Sequence, residues 1–188
     1  MNVIAGHTGA LPTALYSEVA RYRHRVFIET LGWDLKTCNG EELDQFDRPD
    51  TVYVVSQDDQ GQVNGCARLL PSTRPYLLGD VFPELMAGLP VPCSPDVWEL
   101  SRFASVDFNS RTTSALSQFS SEVTMALLKA AAEHAASLGA RRLITVSPVG
   151  VERLLRRTGF HTHRAGPPMI IGGHPIFACW IELEGRPD

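Results

Sequence analysis

A chain of 188 residues, of which 44% are hydrophobic and 20% charged, suits one domain with a substantial single core. Its net charge of −4 argues against a nucleic-acid partner, and no apolar run is long enough to span a membrane. The N-terminus lacks the basic and apolar regions of a signal peptide. We therefore expect a cytoplasmic protein that forms a single domain over residues 1–188 and has no membrane partner.

The four cysteines are isolated in the sequence, so no CxxC metal or redox motif exists, and the histidines lack metal-site spacing. We expect free thiols and no metal site. Residues 1–100 are net acidic and residues 101–188 net basic. This asymmetry suits a cationic small molecule and an acidic partner respectively, although ordinary surface scatter would look the same.

The N-terminal residues, including His7, are expected to fray. Apolar residues at helical spacing predict a helix over residues 12–30, which Gly32 is expected to end. Residues 33–50 are polar and acidic, and we interpret them as a mobile loop that orders when substrate binds.

β-Branched and aromatic residues predict strands over residues 51–56 and 63–70, joined by a turn at 58–61. Residues 71–96 are rich in proline and glycine, with a short apolar piece, and residues 97–104 are predicted to form a third long strand. The later elements are a long helix at 114–138, a strand at 142–147, a short helix at 149–158 and a last strand at 176–183. This order predicts an α/β domain with one mixed sheet and helices packed on it.

Acidic and aromatic residues gather in the 33–50 loop. Trp33 lies at its mouth, where an aromatic ring can cover a ligand and attract a cation. Asp44 and Asp47, three residues apart with Phe46 between them, can converge on one cation. The alternative is a solvated acidic loop.

Ionisable residues also interrupt two apolar strands. A buried Arg68 would be costly unless it met a carboxylate, in a structural ion pair or at a ligand site. In a regular strand Glu99 and Ser101 share one face and Arg102 points to the other. Glu99 and Arg102 can therefore reach one site only if a bulge or strong twist intervenes.

Taken together, these features resemble the LuxI-type acyl-homoserine lactone synthases, or autoinducer synthases, over about residues 20–160. Pro75-Tyr76-Leu77-Leu78 and Phe82-Pro83-Glu84-Leu85 also match. The order and spacing of eight residues carry the resemblance: Arg23, Phe27, Trp33, Asp44, Asp47, Arg68, Glu99 and Arg102.

The resemblance implies a GNAT-like N-acyltransferase fold, with a mixed, V-splayed sheet flanked by helices. It implies a transferase that N-acylates S-adenosylmethionine with an acyl thioester from acyl carrier protein. Lactonisation then releases methylthioadenosine and a quorum-sensing signal. S-Adenosylmethionine and acyl-acyl carrier protein are thus the expected partners. No cofactor is expected, because S-adenosylmethionine is a substrate and the donor carries its own phosphopantetheine.

The resemblance also assigns candidate roles, with Glu99 as the base that deprotonates the attacking amine. Arg102 and Ser101 are expected to position ligands or to stabilise the thioester oxyanion. The candidate contacts to S-adenosylmethionine are Arg23, Phe27, Trp33, Asp44, Asp47, Arg68 and Phe82. The candidate lining of the acyl pocket is Leu100, Phe103, Met125, Leu128, Thr145 and Ser147. Overall similarity favours a medium, unsubstituted acyl chain such as octanoyl, although a Thr145 hydroxyl could bond a 3-oxo group.

Residues 109–115, where acetyltransferases place a glycine-rich pyrophosphate turn, contain no glycine, which favours carrier protein over coenzyme A. Arg153, Arg156 and Arg157 fall on one helix face. With Lys129 or Arg164 they are candidates for a carrier-docking patch; a solvated basic face is the alternative.

Two other functions fit the same residues less well. A generic acetyl-CoA-dependent N-acetyltransferase would not need Asp44, Asp47 or Trp33. A non-catalytic S-adenosylmethionine-binding module would tolerate Glu99→Gln. A serine hydrolase is disfavoured because the sequence has no GxSxG motif.

Overall fold

The computed structural model describes residues 2–108, 122–157 and 159–183. The chain forms two compact units, the first from residues 1–68 and 102–131 and the second from residues 69–101 and 132–188. Two of the three boundaries, 68/69 and 101/102, fall inside strands, and the third, 131/132, falls inside a helix, so none falls in a linker. The single-domain organisation therefore stays a prediction.

The strands are β1 (Asn2–His7), β2 (Thr37–Cys38), β3 (Glu41–Glu42), β4 (Val52–Gln57), β5 (Val63–Pro71), β6 (Val97–Ala104), β7 (Arg142–Pro148), β8 (His161–Arg164), β9 (Met169–Ile171) and β10 (His174–Glu182). The α-helices are α1 (Thr13–Arg23), α2 (Leu77–Val81), α3 (Glu122–Ser137) and α4 (Gly150–Arg157). Short 3₁₀-helices cover Thr8–Ala10 and Pro83–Met86, and His24–Thr30 is π-helical. The predicted helix at 114–138 is observed from Glu122 onward, and its first residues lie outside the described part of the chain.

In the first unit, β1 pairs antiparallel with β4, and β5 is the next strand. In the second unit the order is β6, β7, β10, β8, with β9 also pairing with β10. Strands β5 and β6 are neighbours, and each runs through both units. Because β6 and β7 are parallel whereas β7 and β10 are antiparallel, the sheet is mixed. The predicted α/β fold is confirmed.

The ladder between β6 and β7 is short. Its register joins Val97–Glu99 to Arg142–Ile144, although both strands continue, β6 to Ala104 and β7 to Pro148. This is the pairing pattern of two strands that separate after a shared start, as the expected V-splay requires.

The predicted helix at 12–30 is confirmed, but its second half is π-helical. Leu31 N bonds to Val26 O across five residues at 3.0 Å, and Gly32 follows with a φ of +67°. π-Helical turns are rare and often lie at functional sites. Here the turn carries Phe27, one of the residues behind the family resemblance.

Several short strands were not predicted. The expectation of a frayed N-terminus was wrong, because residues 2–7 form β1 and His7 lies opposite Val52. These six residues are ordered by main-chain hydrogen bonds to β4, which their own sequence does not indicate. Among the described residues, no helix combines the length and apolar character needed to cross a bilayer.

The core of the first unit brings α1 against the sheet, and Gly65 on β5 marks a close approach to α3. A Cβ atom on Gly65 would lie 3.2 Å from Leu127 Cδ2, 3.3 Å from Ser56 Cβ and 3.4 Å from the Ala104 carbonyl oxygen. A larger side chain there must displace either the helix or the sheet.

We predict that Gly65→Val lowers the free energy of unfolding by about 1–3 kcal/mol, because overpacking strains both neighbours. Gly9→Val is the matched control, since a Cβ atom at Gly9 meets nothing within 4 Å and φ is ordinary there. Urea unfolding of both variants measures the difference. Equal stabilities would contradict the close packing of α3 on β5.

Candidate active site

Six ionisable side chains, five of them buried and one partly exposed, form one ion-pair network in the first unit. Three are cationic and three anionic, so their formal charges balance. A buried charge is strongly destabilising unless it is paired and hydrogen-bonded, and each of these six side chains forms ion pairs with two of opposite charge. The members are Arg23, Arg68, Arg102, Glu42, Asp44 and Asp47.

Asp47 is the hub of the network. Its Oδ1 accepts hydrogen bonds from Arg23 Nη1 at 2.8 Å, from Arg68 Nη1 at 2.9 Å and from the Tyr53 hydroxyl. Its Oδ2 accepts from Arg23 Nη2 at 3.1 Å and from the Asp44 amide at 2.6 Å. With five donors, this carboxylate has little capacity left for a ligand. Asp47 therefore orients its neighbours.

The pKa of Asp47 reflects this environment. Burial raises the pKa, but the guanidinium groups of Arg23 and Arg68 outweigh that effect and hold it well below the usual range. Burial also opposes ionisation of Glu42, and Arg23 and Arg102 again shift the pKa of the carboxyl group downward. Both acids remain ionised at neutral pH.

Asp44 differs from the other two acids in its exposure. Its side chain is 15% exposed, against 2% for Asp47. Asp44 Oδ1 accepts from Arg68 Nη1 at 2.6 Å, and Oδ2 accepts from Arg102 Nη2 at 2.9 Å. Asp44 is thus a carboxylate of fixed orientation that still reaches solvent.

Glu42 belongs to the network but was not predicted from the sequence. It accepts from Arg23 Nε at 2.6 Å and from Arg102 Nη2 at 2.9 Å. The signal for it was present: Asn39-Gly40, with φ of +52° and +75°, turns the β2–β3 hairpin that ends at Glu42. Asn-Gly is a strong hairpin signal. Part of the predicted 33–50 loop is therefore regular structure, and its mobility stays a prediction.

Arg102 departs from ideal strand geometry. Its φ is +50°, a conformation that costs a non-glycine residue about 1–2 kcal/mol. The sequence required a bulge or strong twist at this point for Arg102 to leave its regular face. The positive φ supplies that local change, and the ion pairs to Glu42 and Asp44 compensate for its cost.

Two stacked aromatic rings lie beside the network, next to Arg102. The rings of Phe27 and Trp33 stack with centroids 5.0 Å apart and an interplanar angle of 24°. Arg102 Cζ lies 5.6 Å from the centre of the Phe27 ring. Phe27 is buried and Trp33 is half-buried. The structure thus brings together Arg23, Phe27, Trp33, Asp44, Asp47, Arg68 and Arg102.

Glu99, Ser101 and Phe82 lie in the second unit. The buried Glu99 carboxylate accepts hydrogen bonds from the Leu77 amide at 3.1 Å and the Leu78 amide at 2.7 Å, at the start of α2. Main-chain amides, rather than arginines, make these two contacts. The catalytic and binding roles assigned to these residues stay predictions.

The candidate acyl-pocket residues also divide between the units. Leu100, Thr145 and Ser147 are buried in the second, where the two hydroxyl groups lie 3.0 Å apart and bond to each other. Phe103, Met125 and Leu128 belong to the first, and Met125 is 37% exposed. A shared pocket stays a prediction.

The predicted docking arginines are exposed on α4 but differ in their partners. Glu152 binds Arg156 Nη2 at 3.0 Å and Arg164 Nη2 at 2.6 Å. Within the described part of the chain, Arg153 and Arg157 make no ion pair. Lys129 is exposed on α3 of the first unit.

Comparison with known proteins accounts for this arrangement. Residues 10–186 match the family described as Autoinducer synthase. The chain belongs to the autoinducer synthase family. An acyl-homoserine-lactone synthase of Acinetobacter nosocomialis is 55% identical to this synthase, over 97% of its length and 100% of the relative's. The synthase is accordingly an acyltransferase that makes an acyl-homoserine lactone.

Two solved structures show the same fold. TofI, in a ternary complex with an inhibitor and MTA, has a TM-score of 0.83 and 47% identity, covering 97% of the synthase and 92% of TofI. BjaI, described as a CoA-dependent acyl-homoserine lactone synthase with SAM and isopentyl-CoA, has a TM-score of 0.83 and 25% identity. That match covers 97% of the synthase and 82% of BjaI.

We predict that Asp47→Asn lowers the free energy of unfolding by about 3 kcal/mol at pH 7, because Arg23 and Arg68 lose a buried counter-charge. A depressed native pKa stabilises the fold above the unfolded value, and that stability is lost as pH falls. The difference between parent and variant should therefore shrink as pH drops below 3.8, the ordinary value for Asp.

Urea unfolding from pH 7 to pH 2 tests this. Asp34→Asn, which changes an exposed aspartate, is the control and should stay within about 0.5 kcal/mol of the parent. A constant difference between parent and Asp47→Asn across this range would show that the Asp47 charge does not stabilise the network.

Proposed function

We propose that this synthase transfers an acyl group from acyl carrier protein to the α-amine of S-adenosylmethionine and then closes the homoserine lactone. The observation that carries the proposal is Asp44, an oriented and partly exposed carboxylate in the same unit as the Trp33–Phe27 stack. A carboxylate and an aromatic face both favour a sulfonium cation. The SAM and MTA named for BjaI and TofI support the same substrate.

The arginines have a supporting role in this proposal. Arg23 directs Nε to Glu42 and both Nη atoms to Asp47, so its donors are committed to the loop acids. Arg68 and Arg102 hold the two oxygens of Asp44. Asp44, rather than Asp47, is therefore the acid we assign to the sulfonium or to the adenosine portion.

Glu99 is the proposed general base. A free α-amine has a pKa of about 7.7–8.0, so a carboxylate acting directly or through one water can take its proton. The amine attacks the thioester carbon, the C–S bond breaks and the carrier thiol leaves. The methionyl carboxylate then attacks the carbon beside the sulfonium, and methylthioadenosine leaves. Held in an attack geometry, such ring closure reaches effective molarities of about 10⁵ M or more.

The proposed donor is a medium, unsubstituted acyl chain such as octanoyl on carrier protein, with Ser101 and main-chain amides near the end of the β6–β7 ladder as its contacts. The glycine-free segment at 109–115 lies outside the described residues and supports carrier protein from sequence alone. Coenzyme A is the alternative carrier, since BjaI is described as CoA-dependent.

We predict that the purified synthase, given S-adenosylmethionine and octanoyl-acyl carrier protein, releases methylthioadenosine and octanoyl-homoserine lactone, both measured by mass spectrometry. Glu99→Gln should lower kcat by about 100-fold or more and change the KM for S-adenosylmethionine little, because the amide is of similar size, cannot take a proton, and loses one of the two main-chain hydrogen bonds that the carboxylate accepts. Glu18→Gln, at an exposed position on α1, is the control.

A near-parental kcat in Glu99→Gln would remove Glu99 as the base. Product from octanoyl-coenzyme A but not from octanoyl-carrier protein would overturn the proposed donor. Product from another acyl chain only would overturn the octanoyl assignment while leaving the reaction in place.

The proposed carrier-docking surface on α4 can be tested separately from the chemistry. Carrier proteins are acidic, and Arg153 and Arg157, which form no ion pair with the residues that the structure describes, lie one turn apart on α4. We predict that Arg153→Ala/Arg157→Ala raises the KM for octanoyl-carrier protein by about tenfold, the loss of roughly 1.4 kcal/mol of binding. Arg156→Ala is the matched control and should have less effect, because Glu152 already neutralises that guanidinium.

The same octanoyl group on free pantetheine separates docking from chemistry. The double variant should use this small donor as well as the parent does. Equal losses with both donors would exclude these arginines as a docking surface.

A further inference from the structure

Tyr76 is a buried residue of the second unit to which the proposed reaction gives no role. It lies immediately before α2, is 3% exposed, and donates its hydroxyl proton to the Pro92 carbonyl oxygen at 2.6 Å. Its ring packs on the main chain of Gly79, where a Cβ atom would lie 2.9 Å from Tyr76 Cε1. The side chain is thus held at its tip and along its ring.

The two amides that follow Tyr76 in the chain are the ones that hold Glu99. Leu77 N donates to Glu99 Oε2 at 3.1 Å, and Leu78 N donates to Oε1 at 2.7 Å. The first of these N–H groups belongs to the peptide that joins Tyr76 to Leu77. Holding the Tyr76 side chain therefore restrains one end of a peptide whose N–H group bonds to the Glu99 carboxylate.

The acceptor of the Tyr76 hydroxyl is itself restrained. Two residues after Pro92, Ser94 N donates to Ser72 Oγ at 3.0 Å, and Ser72 Oγ donates to Ser94 O at 2.9 Å. Ser72 N also donates to Val97 O at 3.0 Å, at the start of the strand that carries Glu99. The anchor of Tyr76 is thus tied to the same strand as Glu99.

The electrostatics agree with this geometry. Burial, followed by the nearby Glu99 carboxylate, raises the pKa of Tyr76 well above its ordinary value. The phenol therefore keeps its proton at neutral pH and remains a donor to Pro92. The Glu99 charge thus acts on the Tyr76 side chain, and the Leu77 and Leu78 amides that bond to the carboxylate directly follow Tyr76 in the chain.

We propose that Tyr76 is a positioning residue for Glu99, because its hydroxyl bond to Pro92 sets the two main-chain amides that aim the carboxylate at the attacking amine. This inference rests on the proposed function, in which Glu99 is the general base. Tyr76 touches no substrate in this scheme and acts only through Glu99.

The test is Tyr76→Phe, which keeps the buried ring and removes only the hydroxyl group. Small misplacement of a catalytic group costs up to about 100-fold in rate, so losing one of several restraints should lower kcat by about 5–20-fold. The KM values for S-adenosylmethionine and for the acyl donor should stay within about twofold, because the variant removes no substrate contact.

A double-mutant cycle separates positioning from a structural effect. In the Glu99→Gln background, Tyr76→Phe should change the residual rate by less than about twofold. Tyr22→Phe is the matched control: Tyr22 is also buried, and its hydroxyl donates to the Asn64 carbonyl oxygen at 3.0 Å. It should lower the melting temperature yet leave kcat near the parental value.

Three results would overturn the inference: an unchanged kcat in Tyr76→Phe, an equal loss in the parent and Glu99→Gln backgrounds, or an equal kcat loss in Tyr22→Phe. If Tyr76→Phe fails to fold, Ser72→Ala loosens the same anchor and must show the same dependence on Glu99. A parental kcat in Glu99→Gln itself would instead refute the proposed base, so the two failures are distinguishable.

Discussion

Three arginines and three acids share one largely buried network, and the part of the first unit that holds the candidate site depends on their pairing. Each charge, once removed from water, would cost several kcal/mol if left alone. The pairs tie α1, the β2–β3 hairpin, the Asp44–Asp47 turn, β5 and β6 to one another. Because the two members of every pair come from different elements, the network and the local fold have to form together.

The acids of the network differ in how much of each carboxylate is covered by hydrogen-bond donors. A fully covered acid can only orient its neighbours, whereas a partly exposed acid could also bind a ligand. Asp47 and Glu42 are almost fully covered by arginine donors, whereas Asp44 keeps part of its carboxylate exposed. Glu99 achieves a fixed orientation differently, through the Leu77 and Leu78 amides. These two donors are main-chain amides and carry no full positive charge, in contrast to the arginines that hold Asp44 and Asp47.

Most regular elements, and the family, follow from local patterns in the sequence. Apolar periodicity located α1, the observed part of α3, and α4, and β-branched runs located β4, β5, β7 and β10. Short strands such as β1 and β8 were not predicted, because strands of four to six residues owe their order to pairing with a neighbouring strand rather than to their own composition. The order and spacing of eight residues were sufficient to indicate an autoinducer synthase.

By itself the sequence indicated five of the six charged groups of the network, all but Glu42, and showed that a buried Arg68 would need a carboxylate. It did not determine the pairing. Arg102 meets Glu42 across 60 positions of the chain, and it does so with a positive φ that no strand pattern indicates. Only the tertiary structure decided these partners, because side chains distant in sequence become neighbours only when packing excludes water and makes pairing obligatory.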